Sequence, residues 1–250
     1  MSQPKSLSRS ALRVALLGHG TVGGGVYQEL AARKEFTIVG CAVEHKHRHK
    51  SSVPKELLSD DPFEVLSRDA DLVIEVIGGL NPARTLVETA LRRGRHVVTA
   101  NKTLIASARQ RLTGIAREHG VVLSFSAAVG GGVPVLETIE EIKRTDRIRS
   151  MRGVLSGTAN FVLGALANGK GFERALADAQ AAGLAEADPT RDIDGTDVAE
   201  KLAIVIESAF GFRYPVDQIP RKRIDKVPSG GPKTTLVATA TLHGSSDNQS

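Results

Sequence analysis

The sequence predicts an α/β fold, with a doubly wound parallel sheet followed by a smaller α+β region. Between residues 13 and 125, short apolar runs rich in valine and isoleucine alternate with amphipathic segments of helical spacing. These runs are nearly continuous, which is typical of parallel strands that are buried on both faces. The first run meets a glycine-rich turn directly before the first helical segment, so strand, tight turn and helix follow one another.

The first predicted segment, residues 1–135, contains this sheet. Its strands are predicted from apolar, β-branched runs at 13–17, 37–43, 72–77, 96–99 and 121–125. Amphipathic spacing predicts helices between most of them, at 22–32, 82–93 and 104–119. Strands that alternate with helices in this way indicate one parallel sheet that helices cover on both faces.

After residue 135 the pattern of predicted helices and strands changes. Residues 136–211 are predicted to be mainly helical, with a helix ending at Thr145 and further helices at 161–167, 172–182 and 198–210. One strand, at 148–155, has no predicted partner upstream, so the second domain is expected to be incomplete. Residues 212–250 are rich in proline and glycine, and beyond one candidate strand at 234–242 they predict little regular structure.

Composition excludes several classes of protein. The 250 residues are 41% hydrophobic and 24% charged, as in folded globular chains. The net charge is only +5 and aromatic residues make up 4%, so we expect no nucleic-acid partner. The single cysteine, Cys41, excludes an internal disulfide framework and favours a reducing, cytoplasmic compartment. No apolar run approaches the roughly 18 to 20 residues that span a bilayer, so we expect no membrane segment.

Residues 18–23, Gly-His-Gly-Thr-Val-Gly, match the G-x-G-x-x-G pattern of Rossmann-type dinucleotide-binding domains. In that pattern Gly18 permits the tight turn, Gly20 lets a pyrophosphate approach the backbone, and Gly23 lets the helix pack closely on the strand. The helix then begins at Thr21 and Val22, with its N-terminus toward the phosphates. An ordinary glycine turn is the alternative, and the strand-turn-helix context favours nucleotide binding.

The end of the second strand leaves the cofactor preference open. Glu44 stands about 20 residues after the glycine turn, where an acidic residue would bind the ribose hydroxyls of NAD. Directly after it, residues 45–50 are all basic or histidine, and cations such as Arg48 and Lys50 would accept the 2′-phosphate of NADP. A solvated basic loop explains the same run equally well, and a metal site on its histidines is less favoured.

Two further positions are candidates for ligand contact. Lys102 follows the fourth predicted strand, at the carboxyl edge where open α/β sheets bind their ligands, although a solvated surface charge is the alternative. Three glycines at 130–132 precede Pro134, and such a loop exposes main-chain groups to a ligand or a hard cation. A flexible joint between domains is the alternative for this loop.

Five carboxylates crowd residues 186–197, directly before a helix that carries Lys201. Asp197 and Lys201 are four residues apart, so both side chains lie on one face of the helix. The sequence allows two interpretations of this cluster. In the first, the carboxylates interact favourably with the dipole at the helix N-terminus, and Asp197 and Lys201 form a surface ion pair. In the second, the carboxylates bind a substrate ammonium or hydroxyl, and the lysine donates or accepts a proton.

Together these stretches resemble the homoserine dehydrogenase family, over most of residues 13–211. The matching stretches are 18–23, 75–79, 99–102, 127–134, 157–161 and 186–201. The resemblance implies an NAD- or NADP-dependent interconversion of L-homoserine and L-aspartate 4-semialdehyde, which leads to threonine, methionine and isoleucine. It also implies a homodimer.

The resemblance further implies a role for particular residues. Lys201 would be the general acid and base, and Lys102 would lie close to both cofactor and substrate. The residues implied to bind substrate are Glu186, Asp192, Asp197, Gly157 and Thr158. The residues implied to bind the cofactor are Gly18, Gly20, Thr21, Val22, Gly23, Arg48, Lys50, Gly78 and Lys102. A monovalent cation, Na⁺ or K⁺, would lie on main-chain oxygens of Val129, Gly131 and Val133.

The resemblance ends near Gly211, whereas the family continues with further strands of the substrate domain and a returning helix. We therefore expect a shortened chain, with an incomplete substrate domain and without the family's optional regulatory domain. Two hypotheses follow. The chain is either a homoserine dehydrogenase or a non-catalytic, nucleotide-binding remnant or partner protein of the same family.

Overall fold

The structure of the protein, a computed structural model, describes residues 11–46, 53–186, 188–231 and 235–242. The chain divides into two compact units, unit 1 at Met1–Ala128 and unit 2 at Val129–Ser250. Unit 2 therefore begins inside the first predicted segment, and it contains both the predicted substrate segment and the proline- and glycine-rich segment.

Unit 1 is a six-stranded parallel sheet with flanking helices, in the strand order β3-β2-β1-β4-β5-β6. The strands are β1 (Leu12–Leu17), β2 (Phe36–Ala42), β3 (Leu58–Ser59), β4 (Leu72–Glu75), β5 (His96–Thr99) and β6 (Leu123–Ser124). The helices are α1 (Thr21–Ala31), α2 (Pro62–Ser67), α3 (Ala83–Arg92) and α4 (Lys102–Glu118). The predicted doubly wound α/β class is confirmed.

The centre of this sheet explains why its strands are apolar runs. β1 pairs with β2 on one side and with β4 on the other, and its residues Val14, Ala15, Leu16 and Leu17 are fully buried. Helices cover both faces of such a sheet, so side chains that point either way must be apolar. Because the strands are parallel, their carboxyl ends lie along one edge, where the glycine turn begins.

Unit 1 differs from the sequence prediction in several places. Strand β6 covers only Leu123–Ser124 of the predicted strand at 121–125. The two-residue strand β3 and the six-residue helix α2 were not predicted, because neither is long enough to show a period. Strand β4 ends at Glu75, two residues before its predicted end. The Ile77 N–H donates to the Glu75 carboxylate at 2.9 Å, so the backbone turns away from the sheet after Val76.

Unit 2 contains five helices and two strands within the described residues. The helices are α5 (Val135–Thr145), α6 (Gly157–Ala167), α7 (Phe172–Ala181), α8 (Thr190–Ile193) and α9 (Thr196–Phe210). The strands are β7 (Ser150–Gly153) and β8 (Ala238–Thr241). One apolar cluster joins α6 to α7, and a second packs α9 against β8. The second cluster contains Val198, Ala199, Leu202, Ala203 and Ile206, which form one apolar face of α9.

The strand that lacked an upstream partner pairs with a strand near the end of the chain. β7 and β8 are antiparallel, with Ser150 opposite Thr241 and Gly153 opposite Ala238. Both strands are shorter than predicted. Both strands were predicted from the sequence, but their pairing was not, because four α-helices separate them in the chain.

Helix bounds in unit 2 follow their caps. α6 begins four residues before its predicted start, because the Ser156 hydroxyl accepts from the Ala159 N–H at 3.1 Å and caps the helix. The short helix α8 was not predicted, and Gly195 separates it from α9 with a left-handed φ of 80°. In the described ranges of both units, no helix is long and apolar enough to cross a membrane.

Candidate functional site

The glycine turn at 18–23 has the backbone geometry that its motif requires. Gly18 has a φ of 107°, and a Cβ there would lie 2.8 Å from the Val76 carbonyl. A Cβ at Gly23 would collide with the Gly18 carbonyl oxygen, so only glycine lets α1 approach the turn this closely. At Gly20 the position of a Cβ is open, with no described atom within 4 Å.

A cavity of about 780 Å³ lies over this turn, entirely within unit 1. Its lining includes Gly18 and Gly20 from the turn, Val76 and Ile77 from the end of β4, and Pro82. Gly20 is the N-cap of α1 and has no side chain to cap it, so the first-turn N–H groups of Thr21 and Val22 need another acceptor. An open cavity beside an uncapped helix N-terminus suits a phosphate.

Acidic residues line the same cavity at the end of β2. Glu44, the residue predicted to bind the ribose hydroxyls, lines this cavity together with His45. Asp60, which follows β3, lines it as well. Sequence reasoning missed Asp60, because β3 itself was not predicted. The predicted 2′-phosphate ligands, Arg48 and Lys50, lie outside the described residues.

Lys102 is the first residue of α4 and is half-buried. The preceding Asn101 caps the helix through its side-chain oxygen, which accepts from the Leu104 N–H at 3.0 Å. A lysine at this position opposes the helix dipole, which favours anions at a helix N-terminus. The structure does not test the predicted contact of Lys102 with cofactor and substrate, which stays a prediction.

Sequence reasoning gave no role to Glu75, although the structure makes it the centre of the polar contacts at this edge. The side chain is fully buried, and it accepts from Ile77 N–H, from Gly78 N–H and from the Thr99 hydroxyl. The signal was present in the sequence, because an acidic residue ended an otherwise apolar buried strand. Gly78, a predicted cofactor residue, thus lies in a loop that this carboxylate holds.

In unit 2 the structure brings Asp197 and Lys201 together. Their Oδ2 and Nζ atoms are 2.7 Å apart, and both side chains are largely buried. The same Nζ donates to the Leu155 main-chain oxygen at 3.0 Å. The pair is therefore more than a surface ion pair, since two acceptors hold the ammonium in one position.

The other carboxylates of the cluster have different environments. The side chain of Asp188 accepts from the hydroxyl and the N–H of Thr190, and these bonds lower its pKa. Burial acts to raise the pKa of Asp194, but hydrogen bonds from Thr196 and nearby arginines outweigh it, so that pKa is also lowered. Each carboxylate thus accepts from the N–H two residues further along the chain, as in an Asx turn, directly before α8 and α9. Glu186 is exposed and Asp192 is half-buried on α8.

Helix α8 is held to α9 by an ion pair that the sequence reasoning missed. Arg191 Nη2 lies 2.5 Å from Glu200 Oε1, and the Glu200 side chain is buried. The pKa of Arg191 is raised, mainly by this hydrogen bond. Arg191 is next to Asp192 on α8, and Glu200 is next to Lys201 on α9. The Arg191–Glu200 ion pair therefore holds the helix that carries Asp192 against the helix that carries Lys201.

The other predicted substrate residues are at the start of α6. Gly157 is its first residue, and the Thr158 hydroxyl donates to the Leu184 main-chain oxygen at 2.5 Å. This bond ties α6 to the segment that leads to Glu186. A role for Gly157 and Thr158 in substrate binding stays a prediction.

The predicted cation loop opens unit 2. Gly130 and Gly131 both have left-handed φ values, of 82° and 60°, which bend the chain back before α5. Within this bend the Val133 N–H donates to the Gly130 oxygen, and the Val133 oxygen accepts from the Val135 N–H. Among the described residues, no group of three His, Cys, Asp or Glu is placed to hold a metal. A cation on the main-chain oxygens of Val129, Gly131 and Val133 stays a prediction.

The fold and glycine turn of unit 1 define a nicotinamide-dinucleotide-binding domain of Rossmann type. The family model described as "Homoserine dehydrogenase, NAD binding domain" matches residues 18–126. A second model, described as "Homoserine dehydrogenase", matches residues 134–244 in unit 2. The two matches cover most of the chain, and the protein belongs to the homoserine dehydrogenase family.

Individual relatives agree with the family models. The chain is 39% identical to the homoserine dehydrogenase of Bacillus subtilis (strain 168) over 229 residues, which are 87% of this chain and 53% of that protein. It is 40% identical to the homoserine dehydrogenase of Corynebacterium glutamicum, over 84% of this chain and 50% of that protein. The chain thus spans about half the length of these curated relatives.

Solved structures show the same fold. A homoserine dehydrogenase from Thiobacillus denitrificans matches with a TM-score of 0.82 and 35% identity, over 94% of this chain and 59% of that one. A putative homoserine dehydrogenase from Archaeoglobus fulgidus matches with a TM-score of 0.78 and 27% identity, over 92% of this chain and 80% of that one.

Proposed function

We propose that this chain interconverts L-homoserine and L-aspartate 4-semialdehyde with NAD or NADP, in the route to threonine, methionine and isoleucine. The observation that carries the proposal is the partly buried Lys201, held by Asp197 and by the Leu155 carbonyl in a family of dehydrogenases. The comparisons support the family, and the geometry supports a lysine fixed in place for proton exchange.

Lys201 would move the proton of the substrate hydroxyl. An ammonium has three donors, and Asp197 and Leu155 account for two of them, so the third is available for the substrate oxygen. During aldehyde reduction the ammonium would donate this proton to the developing alkoxide and stabilise its charge. During alcohol oxidation the neutral amine would accept the hydroxyl proton. Asp197 would keep Nζ in position throughout.

The acidic residues around Lys201 would recognise the amino group of the substrate. The substrate carries an ammonium, and a carboxylate is its natural partner in a partly dehydrated site. Glu186 is exposed and Asp192 is half-buried, so both are accessible to a small ligand. We propose that these two residues bind the substrate ammonium, with Asp197 alongside and Thr158 and Gly157 forming a neighbouring wall.

The cavity of unit 1 fits a dinucleotide. When bound, the nicotinamide exchanges a hydride with the substrate carbon. The open position at Gly20 and the uncapped start of α1 would accept the pyrophosphate, while Glu44 and Asp60 would face the ribose hydroxyls. Lys102 would bring a positive charge to the cofactor and substrate from the start of α4.

We also propose a bound monovalent cation and a homodimer. The bend at Gly130 and Gly131 supports a monovalent cation on the oxygens of Val129, Gly131 and Val133. The two-stranded sheet of β7 and β8 has outer edges that carry no described strand, which supports the proposed homodimer. Light scattering after size-exclusion chromatography, and activity in Na⁺ against K⁺, would test these two properties.

The test of the function follows the absorbance of reduced cofactor while the protein is given L-homoserine with NAD or with NADP. In the same assay, Lys201→Ala should lower turnover by roughly 10²-fold or more, the range for loss of a general acid and base. Its affinity for reduced cofactor, measured by fluorescence, should not change. Lys143→Ala is the matched control, because Lys143 also donates to a main-chain oxygen, that of Ser208, at 2.6 Å.

Either of two outcomes would contradict the proposal. Normal turnover in Lys201→Ala would remove that lysine from the chemistry. Absence of homoserine-dependent reduction in a folded wild-type protein that binds reduced cofactor would favour the second hypothesis, a non-catalytic nucleotide-binding member of the family.

A further inference from the structure

Glu75 lies fully buried at the carboxyl end of β4, in the middle of the parallel sheet of unit 1. A buried carboxylate is strongly unfavourable unless hydrogen bonds replace its lost hydration. Its neighbours along the strand, Val73 and Ile74, are apolar and also buried, so packing alone would be served by another apolar residue. The contacts of the carboxylate therefore have to explain its presence.

Both oxygens of Glu75 accept hydrogen bonds from neutral donors. Oε1 accepts from the Ile77 N–H at 2.9 Å and from the Gly78 N–H at 3.3 Å, and the Asn101 amide group lies 3.4 Å away. Oε2 accepts from the Thr99 hydroxyl at 2.6 Å. A carboxylate is the side chain that can accept from all of these donors at once.

One group of partners fixes the loop after β4. Gly78 and Gly79 both have left-handed φ values, so the backbone turns sharply where Glu75 holds it. Asn101 holds the far side of the same turn, since its amide donates to the Gly79 oxygen at 2.6 Å. Ile77 lines the 780 Å³ cavity beside Gly18, so the carboxylate shapes one wall of that cavity.

The other group of partners fixes the start of α4. The Thr99 hydroxyl donates to Glu75, and its oxygen also accepts from the Asn101 N–H at 3.0 Å. The side-chain oxygen of Asn101 in turn accepts from the Leu104 N–H and so caps α4. Lys102 is the next residue. A single buried carboxylate thus connects the cavity wall at Ile77 with the helix start that carries Lys102.

We propose that Glu75 is a positioning residue for the dinucleotide, which holds the loop at 77–79 and the start of α4 in the conformation that binds it. The inference rests on the proposed use of a nicotinamide cofactor. It assigns no chemistry to Glu75 itself, because the carboxylate is buried behind the loop and acts through the backbone of Ile77 and Gly78.

The test measures the Kd for reduced nicotinamide cofactor and the unfolding midpoint of the same variants. Glu75→Leu removes every acceptor, and we expect its Kd to rise by more than tenfold. Glu75→Gln keeps one oxygen for the Ile77 and Gly78 N–H groups, so it should recover most of the affinity. Thr99→Val loses one donor and should lie between them. Amide hydrogen exchange at Ile77 and Gly78 should accelerate in the same order.

The matched control is Leu112→Ala. Leu112 is also fully buried, and it lies in the middle of α4 rather than at its start. This variant should lower the unfolding midpoint and leave both the Kd and the exchange at residues 77 and 78 unchanged. If it weakened cofactor binding as much as Glu75→Leu at a similar loss of midpoint, Glu75 would be merely structural and the inference would be wrong.

Other outcomes are equally decisive. Wild-type Kd in Glu75→Leu would overturn the inference while leaving cofactor binding intact. If Glu75→Leu does not fold, the comparison of Glu75→Gln and Thr99→Val with Leu112→Ala decides the matter, and unchanged Kd values in both would overturn it. Failure of the wild-type protein to bind reduced cofactor would instead contradict the cofactor proposal, and this inference with it.

Discussion

The candidate sites of the two units use different chemical groups for their main contacts. In unit 1 the important contacts are made by backbone groups, at glycines whose conformation or close approach excludes a side chain, such as Gly18 and Gly23. In unit 2 they are made by ionised side chains on helices, such as Asp197 with Lys201. A backbone site tolerates changes of charge and fails when a Cβ is added, whereas a side-chain site should show the reverse.

The largest expected effect comes from adding one carbon to the backbone site. In Gly23→Ala the new Cβ would collide with the Gly18 carbonyl, which belongs to a rigid turn and cannot move aside. We expect a loss of stability of about 1–3 kcal/mol, as for overpacked cores, and a loss of measurable cofactor binding. Denaturant unfolding and cofactor fluorescence would measure the two effects.

The control for this variant lies two residues further along the same helix. Gly25 is exposed in α1, and a Cβ there would meet no described atom within 4 Å. Gly25→Ala should therefore stabilise the helix by up to about 1 kcal/mol and leave cofactor affinity unchanged. Equal behaviour of the two variants would mean that helix propensity, and not the turn, decides the result.

A second substitution separates binding from folding in unit 1. Gly20→Ala adds a Cβ where the protein leaves open space, so the fold should keep its stability to within about 0.5 kcal/mol. The same methyl group would occupy the approach of the pyrophosphate to the backbone, so the Kd for the cofactor should rise at least tenfold. Isothermal titration calorimetry would measure it. An unchanged Kd would show that the phosphates do not lie over Gly20.

The contrast also explains how much could be predicted from the sequence. Glycine spacing encodes backbone conformation directly, so the turn at 18–23 between β1 and α1 was predicted correctly. The longer strands and helices of unit 1 were predicted from their apolar periodicity. The contacts of Glu75 with Thr99 and Asn101 could not be predicted, because these residues lie 24 and 26 positions away in the sequence. Strand β3 was missed since two residues show no periodicity.

In unit 2 the sequence named the charged residues but not their partners. The four-residue spacing placed Asp197 and Lys201 on one face, and the structure shows that they pair. The same spacing rule gave no reason to connect Arg191 with Glu200, because the bond crosses from one helix to the next at Gly195. The pairing of β7 with β8 depends on tertiary contacts for the same reason.

A charge substitution in unit 2 should have an intermediate effect. Arg191→Met would remove this ion pair from the buried Glu200, and we expect a loss of about 1–2 kcal/mol, near the contribution of a hydrogen bond to a charged group. Glu200→Gln should lose less, because the half-exposed Arg191 can turn to water. Urea unfolding of the two variants would test the order.

The same pair of variants tests how the unit 2 site is positioned. Since α8 carries Asp192, its displacement in Arg191→Met should raise the KM for homoserine more than it changes the kcat. The affinity for reduced cofactor should stay at the wild-type value, because no residue of unit 1 is altered. A loss of cofactor affinity in Arg191→Met would break the distinction between the two units.

The smallest expected effect is that of a charge substitution in unit 1, away from the glycine turn. Arg13 at the start of β1 pairs with Asp71 just before β4, and this hydrogen-bonded pair lowers the pKa of Asp71 to about 2. Because the pKa of Asp71 is lower in the folded protein than in the unfolded chain, the ionised carboxylate stabilises the fold fully at pH values above the unfolded pKa of about 3.8. This stabilisation is lost as the pH falls toward the folded pKa of about 2.

Asp71→Asn should therefore destabilise the protein at pH 7 by at most about 1 kcal/mol, because the pair is partly exposed to water. The difference from wild type should shrink between pH 4 and pH 2, as the wild-type carboxyl becomes protonated and resembles the amide. Urea unfolding at several pH values would measure this. Cofactor affinity at pH 7 should be unaffected, since the pair lies at the amino ends of strands whose carboxyl ends form the site. A tenfold change in that affinity would show that charge, and not backbone geometry alone, controls binding in unit 1.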